Sequence, residues 1–189
     1  MNSTANTAFP GSLTATVGRL SPLLLPPADI EASEPFSVSC AGETLFIPCR
    51  IYFPPPSDAA FRALDCSEQP IVACWFTRHH DGHVRERFLR ALTAFDCGWV
   101  IAYVVALCGE YVIELLRCIW ERRSLFDPLA LGRWLRDNGP FYARTRSRIV
   151  SYWDCYYRSS CPRFTDYVGS HILTFFDDCI TNSNATGNA

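Results

Sequence analysis

A chain of 189 residues, 49% hydrophobic and 19% charged, carries enough apolar side chain for a packed core and lies outside the composition of disordered chains. Its formal net charge of -2 excludes wholesale electrostatic attraction to nucleic acid or acidic membranes and leaves only local patches to consider. All 17 basic residues are Arg, a bias produced either by a GC-rich genome or by avoidance of lysine-directed modification.

Residues 1–35 are rich in Ser, Thr, Ala and Pro and show no periodicity beyond the run Leu23-Leu24-Leu25. They bury too little apolar surface to offset their ordering entropy, so they are expected to form a disordered arm, with only the leucine run able to dock. From Phe36 the pattern changes. FSVSC and TLFIPCRIYF flank a short turn at Gly42 and predict a β-hairpin, with Pro48 confining the second strand to an edge and Pro54-Pro55-Pro56 ending it.

The remainder reads as helical. Ser57-Asp58 caps a short helix to about Leu64, and Ser67 with Pro70 opens a second to about Arg78. Asp81-Gly82 caps a third from His83 to Ala94. A long helix runs from Trp99 to about Arg122 with a bend at Gly109, and Asp127 caps another over 128–136. Pro140 and Pro162 open the last two, reaching about Arg158 and Cys179. The expected fold is therefore mainly α: a compact multi-helix array with an N-terminal β-hairpin in a single domain over 36–180, a disordered arm over 1–35 and a disordered tail over 181–189.

Trp99 to Gly109 gives 11 apolar residues before Glu110, too few for a membrane span, which needs roughly 20. Cys74, Cys97, Cys108, Cys118, Cys155 and Cys179 lie in or beside apolar helical patterns, without a CxxC pair or a leader-like start. Buried, reduced thiols in a cytoplasmic, reducing compartment are the expectation.

Asp81-Gly82-His83-Val84-Arg85, followed by Phe88, Ala91 and Leu92, resembles the second helix of a HEAT-type repeat, with GWVIAYVVAL as the first helix of a following unit. The resemblance spans about residues 67–116 and occurs once, and Phe88 stands where that family has a small residue. It implies paired helices used as an interaction surface without chemistry of their own.

Four constellations bear on function. Cys74, His79, His80 and His83, with Cys66 nearby, are ligand types that suit zinc, and the same cluster would serve a thiol-dependent activity, although Asp81-Gly82 interrupts the helix that would align His79 with His83. On the 99–122 helix, Glu110 and Glu114 begin a polar stripe that enters an apolar segment. A buried pair with Arg85 or Arg146 would meet that charge. Over 141–158 a helical wheel places Tyr142, Ile149, Val150, Trp153, Tyr156 and Tyr157 on the core side, with Arg144, Arg148 and Arg158 opposite and Phe141 and Tyr152 off the core side. Residues 133–163 hold seven Arg and two Asp, a net charge of +5 interleaved with aromatic rings, which is also the chemistry of a nucleic-acid groove. No Gly-rich phosphate loop, GxSxG or HExxH is present and no cofactor is implied. The expected function is that of a non-enzymatic, adaptor-like domain binding another protein through Arg144, Arg148, Arg158 and Tyr152. The alternatives are the metal or thiol centre at 74–83 and nucleic-acid binding through 133–163.

Overall fold

The computed structural model describes residues 4–25 and 33–185. It is mainly helical with one N-terminal β-hairpin. The chain divides into two compact units, residues 1–93 and 94–189, a division that composition and periodicity give no sign of.

The first unit opens with three short helices, α1 (Thr4–Thr7), α2 (Thr14–Arg19) and α3 (Ser21–Leu24). This corrects the expectation of a disordered arm over its described residues. Ala5, Ala8, Phe9, Val17, Leu20 and Leu24 are buried, and the Phe9 ring lies 6.1 Å from Trp75. The apolar residues here are sparse and aperiodic because each is buried singly within the unit rather than forming an amphipathic stripe of its own. Residues 26–32, which end the expected arm, lie outside the described residues.

The hairpin pairs β1 (Pro35–Cys40) with β2 (Glu43–Pro48) in antiparallel register from Pro35↔Pro48 to Cys40↔Glu43. Ala41 and Gly42 both have positive φ, 51° and 84°, which is the backbone a two-residue hairpin turn demands. Alternation buries Val38, Cys40, Leu45 and Ile47 and leaves Phe46 outside. The prolines stand at the ends of the ladder, where an absent N–H matters least.

Helix α4 (Asp58–Arg62) is capped by Ser57, whose Oγ accepts from the Ala60 N–H at 3.2 Å. In α5 (Gln69–Phe76) every residue from Ile71 to Phe76 is buried, making it the centre of this unit. Helix α6 (Gly82–Ala91) starts where expected, because the Asp81 carboxylate accepts the His83 N–H at 2.8 Å.

In the second unit the long helix expected over 99–122 is two. The first, α7 (Gly98–Cys108), is buried on all sides from Val100 onward, and α8 (Ile113–Glu121) is amphipathic, with Leu115, Leu116, Cys118 and Ile119 inward. Gly109 weakens the helix at the junction and Val112 is extended, so the two segments pack as separate elements. Asp127 caps α9 (Pro128–Asp137), accepting from the N–H groups of Leu129 and Ala130. Helix α10 (Gly139–Tyr152) passes into a π-helical turn, Trp153–Tyr157. The last helix, α11 (Val168–Ala185), starts later than Pro162 because residues 164–166 form a 3₁₀ turn. It also runs into the expected tail: residues 181–185 are helical and Ser183 is buried, while 186–189 lie outside the described residues. No helix among the described residues is long and apolar enough to cross a membrane.

The most extensive helix–helix contact is that of α9 with α11. It depends on Gly132, where a Cβ would overlap the Cys179 carbonyl oxygen and lie 2.6 Å from Ser183 Oγ. Gly132→Ala is expected to destabilise the chain by at least about 2 kcal/mol, since overpacking outweighs the roughly 1 kcal/mol that Ala gains in a helix. Gly18→Ala in α2, where nothing lies within 4 Å, should be neutral or slightly stabilising. Denaturant melts of the two variants check this, and equal midpoints would remove Gly132 from its structural role.

Candidate interaction surface

The 74–83 cluster does not converge. Cys74 is fully buried within α5, His79 is buried beyond that helix, and His80 and His83 are exposed. Among the described residues no three His, Cys, Asp or Glu side chains are grouped so as to hold a metal ion, which corrects the expectation of a ligand set at Cys74, His79, His80 and His83. His79, His80, Asp81 and Arg85 instead have local structural tasks. The Asp81 N–H donates to His79 Nδ1 at 3.1 Å, and the His79 and His80 rings lie 4.3 Å apart, with His80 stacked on Tyr52 at 5.4 Å. The buried Arg85 guanidinium donates to the carbonyls of His79 and His80 at 2.8 and 2.7 Å. These contacts fix the turn that leads into α6.

Glu110 is buried just beyond α7, and Glu114 is exposed in the first turn of α8. The Cys108 thiol is held well above its usual pKa, by burial first and by the Glu110 carboxylate second. The carboxylate that Arg146 meets is Asp177 on α11, at 2.7 Å, in place of the glutamate expected from sequence. The packing of α10 on α11 brings the two together. Tyr142 donates its hydroxyl to the same carboxylate at 2.8 Å, and burial, then that bond, raises the phenol's pKa. Arg146 and Asp177 are both about half exposed (48% and 45%), so the pair contributes at most about 1 kcal/mol.

All ten cysteines are free thiols. Cys74, Cys108, Cys118 and Cys179 are buried as expected. Cys97 and Cys155 are exposed, because Cys97 precedes the first residue of α7 and Cys155 sits on the outward side of the π turn.

The inward face of α10 consists of Phe141, Tyr142, Thr145 and Ile149. Phe141, placed off the core by the wheel, is buried, whereas Val150 and Tyr156, placed in it, are 41% and 60% exposed. The π turn accounts for Tyr156. A wider turn shifts every following side chain out of the 100° pattern. Trp153 and Tyr157 hold the turn from within: Trp153 Nε1 donates to the Cys161 carbonyl at 2.9 Å, and the Tyr157 hydroxyl donates to the Tyr111 carbonyl. Tyr157 also stacks on the buried Tyr167 at 5.5 Å.

The consequence is a continuous outer ridge. Arg144, Arg148 and Tyr152 follow one another at intervals of four residues, the spacing that aligns side chains along an α-helix, and the π turn sets the Tyr156 ring 6.0 Å from that of Tyr152. At its end Tyr111, from the turn between α7 and α8, joins Tyr152 and Tyr156. The three rings lie 6.0–6.2 Å from one another, mutually tilted, with Tyr111 54% exposed. The stem of Arg148 runs beside Gly109, two residues before Tyr111. Arg144 and Arg148 are exposed and have no ion-pair partner among the described residues, and α10 itself contains no acid. Arg144 lies over the Phe141 ring at 5.7 Å. Arg158, grouped with them on the wheel, is drawn off the ridge by Asp154 at 2.8 Å and by the Trp153 ring. Tyr111 and Tyr156 were not among the residues expected at an interaction face. The signal for Tyr156 in the sequence is the density of YWDCYY, since four rings in six positions cannot all face one core, and Tyr111 carries no such signal.

Comparison with protein-family models, curated proteins and solved structures finds no match.

The His79 contact has a consequence for pH. Its folded pKa lies below the ordinary 6.5, through burial first and the neighbouring His80 second, with Asp81 opposing and Arg85 adding to the depression. The contribution of the neutral ring is thus complete above about pH 6.5 and is lost as pH falls through the folded value, when a proton on Nδ1 would face the Asp81 N–H. Urea midpoints should fall between about pH 7 and about pH 5, and His79→Asn should flatten that slope. An unchanged slope would show that His79 is not the titrating group.

Proposed function

We propose that this chain is a protein-interaction module without chemistry of its own, and that it binds an acidic partner through the outer ridge of α10. The observation that carries the proposal is the pairing on one ridge of two exposed arginines, without counter-ions among the described residues, with a cluster of the exposed Tyr111 and Tyr156 and the half-buried Tyr152. Arg and Tyr are enriched among the residues that dominate binding energy at protein interfaces. Tyr supplies large contact area at little cost in side-chain entropy, and unpaired Arg supplies complementarity to carboxylates. The resemblance of residues 67–116 to a HEAT-type unit implies the same non-catalytic role. A protein partner is favoured over nucleic acid because three of the seven arginines of residues 133–163 are neutralised locally. Arg146, Arg158 and Arg163 are engaged by Asp177, Asp154 and Asp166, and the ridge itself carries two cations, Arg144 and Arg148, rather than a cationic groove.

Charge reversal of Arg144 and Arg148 to Glu should weaken binding of a fluorescent polyglutamate peptide at low salt by more than about tenfold, with the melting temperature unchanged because both side chains are exposed. Equal binding by the double variant, or stronger Arg-dependent binding of oligo-dT than of the peptide, would contradict the proposal.

A further inference from the structure

From the tyrosine cluster we infer that the partner segment is not only acidic but proline-rich, docking as an extended polyproline II helix with its carboxylates toward Arg144 and Arg148. The inference rests on the interaction reading above and adds the conformation and composition of the ligand. Three features of the cluster carry it. Tyr111, Tyr152 and Tyr156 present tilted rings 6.0–6.2 Å apart, so the surface between them is ridged by ring edges instead of flat. Pyrrolidine rings pack against adjoining aromatic side chains, and aromatic-lined surfaces are the usual receptors of polyproline II segments. The hydroxyls of the three tyrosines have no hydrogen-bond partner among the described residues. A polyproline II chain makes no internal hydrogen bonds and leaves its carbonyls outward, so phenolic donors on the receptor match acceptors on the ligand.

The third feature is length and rigidity. From Arg144 to Tyr156 the ridge extends roughly 18 Å at the rise of a helix, which about six residues of polyproline II would span. One ligand short enough to be a linear motif therefore reaches both the cationic and the aromatic halves. The aromatic half is held in place before any ligand arrives. Trp153 and Tyr157 anchor the π turn to the Cys161 and Tyr111 carbonyls, and the second of these bonds ties the segment bearing Tyr111 to the turn bearing Tyr156. Preformed receptor and stiff ligand together keep the entropy lost on binding small. Base stacking on single-stranded nucleic acid would use the same rings, but it favours open ring faces along a cationic track, and here the rings are tilted against one another and, among the described residues, the ridge adds two arginines without ion pairs.

The test compares two fluorescent peptides of equal length and charge on the full chain by anisotropy, a Glu-Pro repeat and a Glu-Gly repeat, with oligo-dT as a third probe. The Glu-Pro repeat should bind about tenfold more tightly than the Glu-Gly repeat. Tyr156→Ala should bring its affinity down to that of the Glu-Gly repeat, and Tyr156→Phe, which keeps the ring and hence the packing, should give an intermediate value. Unchanged thermal melts of both variants separate loss of binding from loss of fold. Equal affinity for the two peptides would overturn the proline inference and leave the acidic-partner reading standing. Binding of neither peptide would overturn both, as would oligo-dT binding more tightly than either.

Discussion

The approach of α9 to α11 across Gly132 is the contact on which the second unit depends. With no Cβ at this position the α9 backbone lies directly against the Cys179 carbonyl and the Ser183 hydroxyl, and the two helices share their longest contact. A second close approach follows the same rule. A Cβ at Gly169, near the start of α11, would lie 2.5 Å from the Tyr167 ring and 2.6 Å from Ile149. Glycine thus sets the separation of α11 from α9 at one point and admits α10 and the Tyr167 ring at another. Tyr167 in turn supports Tyr157, and Tyr157 supports the turn that carries Tyr111. The tyrosine cluster is the outermost layer of a stack that begins at these glycines.

The division of labour along α10 follows from this frame. Its inner face, Phe141, Tyr142, Thr145 and Ile149, is consumed by packing, and each aromatic there has an internal partner: Phe141 meets Trp134 edge-on at 6.0 Å, and Tyr142 meets Asp177 and Phe176. The outer ridge contributes little to stability, because exposed arginines without ion pairs among the described residues and half-solvated rings gain little from folding. Surface that stability does not require, yet that gathers arginines and tyrosines on a rigid support, is where binding is most economically sought. The turn at 79–83 shows the converse. Its histidines and aspartate resemble a ligand set in sequence, but three of its polar side chains are committed to the backbone: Asp81 binds the α6 N-terminus, His79 the Asp81 N–H, and Arg85 two carbonyls.

Much of the fold was legible because it rests on local chemistry. The hairpin follows from alternating apolar residues around Ala41-Gly42, and the starts of α6 and α9 from Asp81 and Asp127, since caps and turns are decided by neighbouring residues. Where tertiary packing decides, the pattern failed. The arm residues Ala5, Ala8, Phe9 and Leu24 find individual places in the first unit that no periodicity announces. The break after Cys108 reflects packing of an all-round apolar helix and an amphipathic one as separate bodies, while the sequence carries only one glycine to mark it. The candidate surface was half legible. Arg144, Arg148 and Tyr152 fall on the ridge because they precede the π turn, and Tyr156 was assigned to the core because a 100° wheel was carried through that turn. The partners of Arg146 and Arg158 were not legible for a different reason: Asp177 lies on another helix, and Asp154 one turn back competes with any outside partner.

The central claim is that binding is confined to the ridge of α10 and its tyrosine end. Hydrogen–deuterium exchange of the full chain, with and without the Glu-Pro repeat peptide, tests it most directly because it reports on every segment at once. Added protection over residues 144–157 and 109–112, with exchange at 79–83 unchanged, is the result this account predicts. Protection centred on 79–83, or none along α10 at saturating peptide, would contradict it.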